Sequence, residues 1–252
     1  PDPTRTFPTL TAAVTAYNNN RLGGAVTFTL LDATYGAGET FPLALNANAD
    51  ASATNSLTIK PNTGVSTSIT AGSSAGAVFQ FLGTDYVTVD GSNNGSTSHN
   101  LTLTSTNTGS SAVVWVGSLG DAAGATNVTL KNLTVVGGSV TSTTAFGIYA
   151  AGTTLSASGT GSDNDNLVVQ NNVISAVYNA IYARGTTAGL LDGLQVTGNQ
   201  IGGSTAATTV TLRGIDVAAA TAPQISQNRI VGMQTTAAIS IAAIELGSNV
   251  AN

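Results

Sequence analysis

Residues 169–174 read VQNNVI, and the same pattern, apolar–x–x–Asn–x–apolar, returns at 196–201 (VTGNQI) and at 225–230 (ISQNRI). A related segment at 130–135 (LKNLTV) has leucine in the position of the shared asparagine. Repeats of this length that recur along a chain are typical of solenoid proteins, in which each unit is too small to bury its own apolar face. This repeat therefore predicts the class of fold.

A second segment, apolar–x–apolar, occurs once in each repeat. Its central residues are Gln80, Trp115, Tyr149, Tyr182, Asp216 and Glu245. Two short strands in constant order, with no helix between them, argue against leucine-rich, ankyrin and tetratricopeptide repeats, and a propeller blade needs about 40 residues. The sequence therefore predicts an all-β chain, folded as a right-handed parallel β-helix (a solenoid).

The N-terminal residues break this pattern and predict a short capping helix at about residues 9–19. Apolar residues at 10, 13, 14 and 17 have helical spacing, and Thr9 is a suitable N-cap. An open end of a solenoid exposes unpaired strands and needs a cap. We therefore predict a cap over residues 1–24 and a parallel β-helix over 25–252, which we expect to continue beyond the C-terminus.

The composition favours a protein outside the cell. Only 8% of residues are charged, against about 25% in typical domains, and Thr, Ser, Asn, Gly and Ala take their place. The net charge is −5 with no basic cluster, which argues against nucleic acid as a partner. No apolar run approaches the ~18 residues of a membrane span, so no membrane insertion is expected. We expect an extracellular or outer cell-surface location.

The repeated asparagines, Asn172, Asn199 and Asn228, predict a structural ladder. At a bend between strands, stacked side-chain amides can hydrogen-bond along the axis, and asparagine tolerates the left-handed backbone that such bends use. The alternative is that each is an ordinary turn residue.

Several segments resemble known β-helix proteins. Residues 7–14 (FPTLTAAV), 26–30 (VTFTL) and 33–35 (ATY) resemble the N-terminal cap and first coil of pectin-lyase-like proteins. Residues 57–61 (LTIKP), 85–95 (DYVTVDGSNNG) and 127–133 (NVTLKNL) are similar to β-helix modules in large secreted or surface proteins of Gram-negative bacteria that use type IX secretion. The resemblance implies the fold and an exported protein. It implies no particular activity, because this fold hosts lyases, hydrolases, esterases, tailspikes and adhesins.

The residues that catalysis would need are sparse. His99 is the only histidine, and there is no cysteine. The later coils carry one acid–base group, formed by Arg184, Asp192, Arg213, Asp216 and Glu245. We interpret that group as surface polarity, assign no catalytic residue, and expect no enzyme activity.

Two acidic loops, at 90–94 (DGSNN) and 163–166 (DNDN), carry the oxygen ligands that Ca²⁺ prefers. Asp163 and Asp165 are the calcium candidates, although neither loop matches an EF-hand or a nonapeptide repeat. We favour solvated turns and expect no cofactor.

The centres of the apolar–x–apolar segments form the most specific candidate site. Since the flanking residues face the core, Trp115, Tyr149, Tyr182, Asp216 and Glu245 should form an outward strip with steps of about 4.8 Å. Stacked aromatic rings bind sugar rings, and acids accept hydrogen bonds from sugar hydroxyls. The alternative is that the aromatic rings shield the sheet beneath a bulging loop at 151–166.

Three functions follow. The first is a non-catalytic spacer, adhesin or assembly subunit, with a cell-surface partner. The second is a carbohydrate-binding module, or a lyase- or hydrolase-like enzyme, that binds polysaccharide on the Trp115–Glu245 strip. The third is self-assembly through an open end or an exposed strand face.

Overall fold

The computed structural model describes residues 6–235 and 238–251, so residues 1–5 of the predicted cap lie outside the described part. The described residues form one α-helix, α1 (Leu10–Asn19), one short 3₁₀ helix (Ala206–Thr208), and strands. The strands are β1 (Val26–Leu30), β2 (Thr34–Tyr35), β3 (Leu43–Asn46), β4 (Leu57–Pro61), β5 (Thr67–Ala71), β6 (Ala77–Leu82), β7 (Val87–Asp90), β8 (Leu101–Ser105), β9 (Ser111–Gly117), β10 (Thr129–Lys131), β11 (Leu133–Ser139), β12 (Ala145–Ala151), β13 (Val168–Gln170), β14 (Val173–Arg184), β15 (Leu191–Asp192), β16 (Gln195–Thr197), β17 (Gln200–Ile201), β18 (Val210–Ala218), β19 (Ala220–Thr221), β20 (Gln224–Ser226), β21 (Arg229–Ile230), β22 (Ala242–Leu246) and β23 (Val250–Ala251).

The strands form three sheets, and neighbouring strands are parallel. The first sheet has seven strands in the order β1-β4-β7-β10-β13-β16-β20, the second has 13 strands, and the third has the order β15-β19-β23. The chain therefore visits the second sheet, and from β15 onward also the third, before it returns to the first and adds the next parallel strand. The fold is predominantly β with parallel sheets, which is compatible with the predicted β-helix.

The register between strands is maintained across the repeats that the sequence revealed. Leu130 lies opposite Val169, Val169 opposite Val196, and Val196 opposite Ile225. Equivalent positions of the repeat thus stack directly on one another, although the chain between them varies in length. The variable segments leave the sheets as loops.

Alternation of apolar and polar residues explains which side of each strand is buried. In β4, Leu57 and Ile59 are buried, Thr58 is half-buried, and Lys60 is exposed. Parallel neighbours repeat this pattern, so the Leu, Ile and Val side chains stack in columns. One hydrophobic cluster draws residues from all three sheets and from the helix.

The helix covers one end of this core, at the position that the sequence predicts. Thr9 is the N-cap, and its side-chain oxygen accepts a hydrogen bond from the backbone N–H of Ala12 at 3.0 Å. Glu39 adds a second cap that the sequence did not reveal, since its carboxylate accepts from the backbone N–H groups of Leu10 (2.9 Å) and Thr11 (2.6 Å). The division into a cap at 1–24 and a β-helix at 25–252, and continuation past the C-terminus, stay predictions.

Candidate functional site

The predicted column is a continuous line of residues in the second sheet. Trp115 lies opposite Tyr149, Tyr149 opposite Tyr182, Tyr182 opposite Asp216, and Asp216 opposite Glu245. The parallel register therefore brings together all five residues that the sequence singled out.

The expectation that this column is exposed is wrong for its first four residues. Trp115 is 8% exposed, Tyr149 0%, Tyr182 1% and Asp216 3%. The reason is that residues 152–161 fold back over the rings, as the alternative interpretation of a shielding loop proposed. The aromatic faces are thus unavailable for stacking on a sugar in this conformation, and glycan binding itself stays a prediction.

The covering segment, residues 152–161, is attached by hydrogen bonds from the aromatic side chains. The indole Nε1 of Trp115 donates to the carbonyl of Gly152 (2.9 Å), the Tyr149 hydroxyl to that of Thr154 (2.8 Å), and the Tyr182 hydroxyl to that of Gly159 (2.9 Å). A loop without strand partners thereby satisfies three of its backbone carbonyls. Burial raises the pKa of both tyrosines.

The rings also pack on one another and form a second, smaller hydrophobic cluster outside the main core. Tyr149 and Tyr182 are stacked, with ring centroids 5.1 Å apart and planes 10° apart, and Trp115 meets Tyr149 edge-on at 6.0 Å. Phe146 and three alanines also belong to the cluster, and Leu155 packs against it. A buried aromatic cluster of this kind stabilises both the sheet and the segment above it.

The two acids of the column are paired with arginines. Arg184 donates to both carboxylate oxygens of Asp216, at 3.0 and 2.8 Å, and its guanidinium lies 4.9 Å from the centroid of the Tyr182 ring. Arg213 forms an ion pair with Glu245. These acids therefore compensate arginine charge. Asp192 is exposed, and its backbone N–H donates to the carboxylate of Asp165 (2.9 Å).

The asparagines of the repeat are hydrogen-bonded in series, as a ladder requires. The Oδ1 atom of Asn199 accepts from both the backbone N–H (2.9 Å) and the Nδ2 (3.0 Å) of Asn172. The Oδ1 atom of Asn228 accepts in the same way from Asn199, at 3.0 and 2.9 Å. The series begins at Leu133, whose backbone N–H donates to Asn172. Asn172 and Asn199 are each 1% exposed.

The ladder asparagines do not have the left-handed backbone that the sequence argument gave them. That conformation belongs to the residue before each ladder position: Asn132 (φ 59°), Asn171 (φ 50°), Gly198 (φ 67°) and Gln227 (φ 58°). The bend therefore needs a residue that tolerates positive φ, and the next residue supplies the amide. The two requirements fall on neighbouring positions.

Sequence reasoning missed a second amide series at this left-handed position. Asn171 Nδ2 donates to Asn132 Oδ1 (2.8 Å), and Asn132 Nδ2 donates to Asp90 Oδ1 (2.6 Å). The signal was present, because Asn132 and Asn171 occupy equivalent places in their repeats. His99 lies beside this series, where its Nε2 is 2.8 Å from the carbonyl oxygen of Asn171.

The calcium candidates serve as turn acceptors. The carboxylate of Asp163 accepts from the backbone N–H of Ala122 (2.6 Å), and that of Asp165 from the backbone N–H of Asp192 (2.9 Å). Burial, followed by the charges of Asp192 and Asp163, raises the pKa of Asp165. Within residues 6–235 and 238–251, no group of three or more His, Cys, Asp or Glu side chains is arranged to hold a metal ion.

No helix in the described part of the chain is long and apolar enough to span a membrane.

Comparisons with protein-family models, curated proteins and solved structures found no match to this chain.

Proposed function

We propose that the chain is a right-handed parallel β-helix that acts as a non-catalytic structural module, namely a spacer, adhesin or assembly subunit, of a secreted or surface-attached bacterial protein. The observation that carries this proposal is the continuous parallel pairing of the first sheet, which has no register shift from β1 to β20. Seven strands of one sheet follow one another, and six steps of about 4.8 Å give a stack of roughly 29 Å.

The side-chain contacts support a structural role. Stacked amides join successive repeats along the direction of stacking, and the aromatic cluster does the same on another face of the molecule. Each contact is between neighbouring repeats, which is the arrangement of a solenoid whose stability is a sum over its units. A solenoid built in this way can hold domains attached at its two ends at a constant distance.

The low charge and the Thr/Ser/Asn-rich composition support a location outside the cell. The resemblance of residues 7–35 to pectin-lyase-like proteins, and of 57–133 to modules exported by type IX secretion, points in the same direction. The partner we propose is a cell-surface component or another subunit of the same assembly.

The mechanical test stretches the chain from its two termini in a single-molecule force experiment. We expect resistance followed by release in steps of about 30 residues, since repeats of this size should detach one after another. Gradual extension without steps would contradict the proposal that the chain is a stack of repeats. The control is Asn46→Ala, which alters an exposed asparagine outside the ladder and should leave the steps unchanged.

The chemical test incubates the same chain with a panel of neutral and acidic polysaccharides, with Ca²⁺ and with chelator. We expect neither binding nor cleavage. Cleavage would overturn the non-catalytic proposal and favour the lyase- or hydrolase-like alternative. Binding that is lost when Glu245, the half-buried end of the column, is changed to Gln would favour a carbohydrate-binding module instead.

A further inference from the structure

The strands that close the last described repeat have a neighbour on one side only. β20, β21, β22 and β23 each pair with one strand of the preceding repeat, and no other described strand lies against them. Their free edges belong to all three sheets. This end of the molecule therefore presents backbone donors and acceptors in the arrangement that every other repeat uses to receive its successor.

The apolar residues at this end are the unburied equivalents of core positions. Ile244 is 47% exposed and Leu246 57%, whereas their partners one repeat earlier, Ile215 and Val217, are both fully buried. The residues at both places are apolar, and the last pair is exposed because no further described repeat packs over it.

Asn228 specifies what the covering element must contain. In the two completed ladder steps, one amide oxygen accepts from both the backbone N–H and the Nδ2 of the preceding asparagine. Asn228 Nδ2 makes its backward bond to the carbonyl of Val196 at 2.7 Å. Within the described residues, its backbone N–H and second amide hydrogen have no acceptor, so two donors converge where an amide oxygen is placed in the earlier steps.

We propose that this end is a docking surface for a polypeptide segment folded as one further coil, with an asparagine in register with Asn228. This inference rests on the proposed function as an assembly module and names the chemistry of its partner. Its pattern is that of the repeat: apolar residues opposite Ile225 and Ile230, with the asparagine between them.

A second copy of the chain fits this surface less well. Stacked head to tail, it would present helix α1, which covers part of the opposite end, together with the free edges of β1 and β2, and residues 26–35 of this first coil contain no asparagine to meet Asn228. Stacked tail to tail, it would bring the donors of Asn228 toward the identical donors of its partner and would oppose strands in antiparallel directions. Each observed strand pairing is parallel, and each ladder step joins donors to an acceptor.

The experiment supplies such a coil in cis. Residues 195–221, which contain β16 to β19, are appended after Asn252 through one proline, which repeats the two-residue Ala222–Pro223 connection. The matched control carries Asn199→Leu in the appended copy only, because leucine occupies that position naturally at Leu133. Backbone hydrogen exchange is then measured by NMR for Asn228 and for β22, in both fusions and in the unmodified chain.

We expect the asparagine copy to protect β22 and to slow exchange of the Asn228 N–H at least tenfold relative to the leucine copy. If the leucine copy fails to dock, β22 stays unprotected only in that fusion, which also supports the need for asparagine. Equal protection of Asn228 by both copies, or protection of β22 by neither, would overturn the proposal. So would a dimer of the unmodified chain in which Asn228 is protected.

This outcome is separable from the proposed function. Cleavage of a polysaccharide in the panel would overturn the proposed structural function, but it would not affect the hydrogen-exchange test of docking. Failure of the coil to dock would remove only the assembly surface, because the force experiment measures the chain itself.

Discussion

At the scale of single residues, each ladder asparagine both accepts and donates several hydrogen bonds, which in an ordinary turn would be divided among backbone groups. Asn199 accepts from Asn172, donates to the carbonyl of Val169 (2.9 Å), and donates forward to Asn228. All of this occurs at a site that is 1% exposed. A buried amide with every donor used is stabilising, whereas its removal leaves its partners unsatisfied.

We therefore expect Asn199→Ala to lower the free energy of unfolding by about 2–4 kcal/mol, since it leaves the buried backbone N–H of Asn172 without its acceptor. Urea denaturation measures this difference. Asn46→Ala, at the exposed end of β3, is the control and should change stability by less than about 0.5 kcal/mol, because no hydrogen bond of the Asn46 side chain to another described residue is lost. Equal effects of the two substitutions would show that the ladder bonds contribute nothing beyond an ordinary turn.

How much of the site the sequence predicts depends on whether a residue repeats. Asn172, Asn199 and Asn228 were visible because one side chain recurs at one place. The left-handed position before them was missed, since Asn171, Gly198 and Gln227 share a backbone angle and not a side chain. A position that needs positive φ can be occupied by several residue types, so a single sequence shows no repeated residue there.

At the scale of elements, the covering segment 152–161 is stabilised by side chains of the sheet beneath it. The phenols of Tyr149 and Tyr182 donate to its carbonyls, and the backbone N–H of Gly161 donates to the carbonyl of Arg184 (2.9 Å). The sequence predicts the aromatic column itself, but its burial could be given only as an alternative. The strands repeat, but this segment occurs once, so there is no second copy from which its position can be inferred.

These phenols predict a loss of stability in alkaline solution. Burial raises the pKa of Tyr149 and Tyr182 above the ordinary value of 10.0, so the folded chain favours their neutral, donating form. The resulting stabilisation is complete below pH 10 and is lost as the pH rises, because the unfolded chain then releases its phenolic protons first. Melting temperatures measured from pH 8 to pH 12 should be flat at first and then fall.

The matched control for this prediction is the double variant Tyr149→Phe, Tyr182→Phe, which keeps both rings and removes both hydroxyls. Its melting temperature should fall less steeply above pH 10. The slope that remains belongs in part to Tyr17, whose pKa burial raises to about 12, with a contribution from the charge of Asp85. An unchanged slope in the double variant would show that the covering segment does not depend on these phenols.

At the scale of the whole molecule, the described chain has one closed end and one open end. Helix α1 buries Leu10, Val14 and Tyr17 over the first repeats, whereas Ile244 and Leu246 are exposed at the last. In a fold whose contacts are between neighbouring repeats, local stability should follow this asymmetry. The fold class was predictable because repetition multiplies a weak signal, but the division into three sheets was not, since short strands such as β15 and β19 span two residues each.

We accordingly expect backbone hydrogen exchange to be fastest in β20–β23 and slowest in the fully buried central strands β9 and β12. Mass spectrometry of peptide fragments under native conditions measures this gradient. The helix-covered repeats provide the internal control, because β3 and β4 should exchange more slowly than β22 despite lying near the other end. Uniform exchange along the chain would mean that it unfolds as a single cooperative unit.

The unequal lengths of chain between stacked positions have an evolutionary consequence. Val169 follows its stacked neighbour Leu130 by 39 residues, and Val196 follows Val169 by 27, yet the three lie in register. Insertions and deletions in exposed loops can thus leave the stacked register unchanged, whereas the paired positions are constrained. Selection can remodel the outline of such a molecule loop by loop, and duplication or loss of a whole coil can set its length in fixed increments.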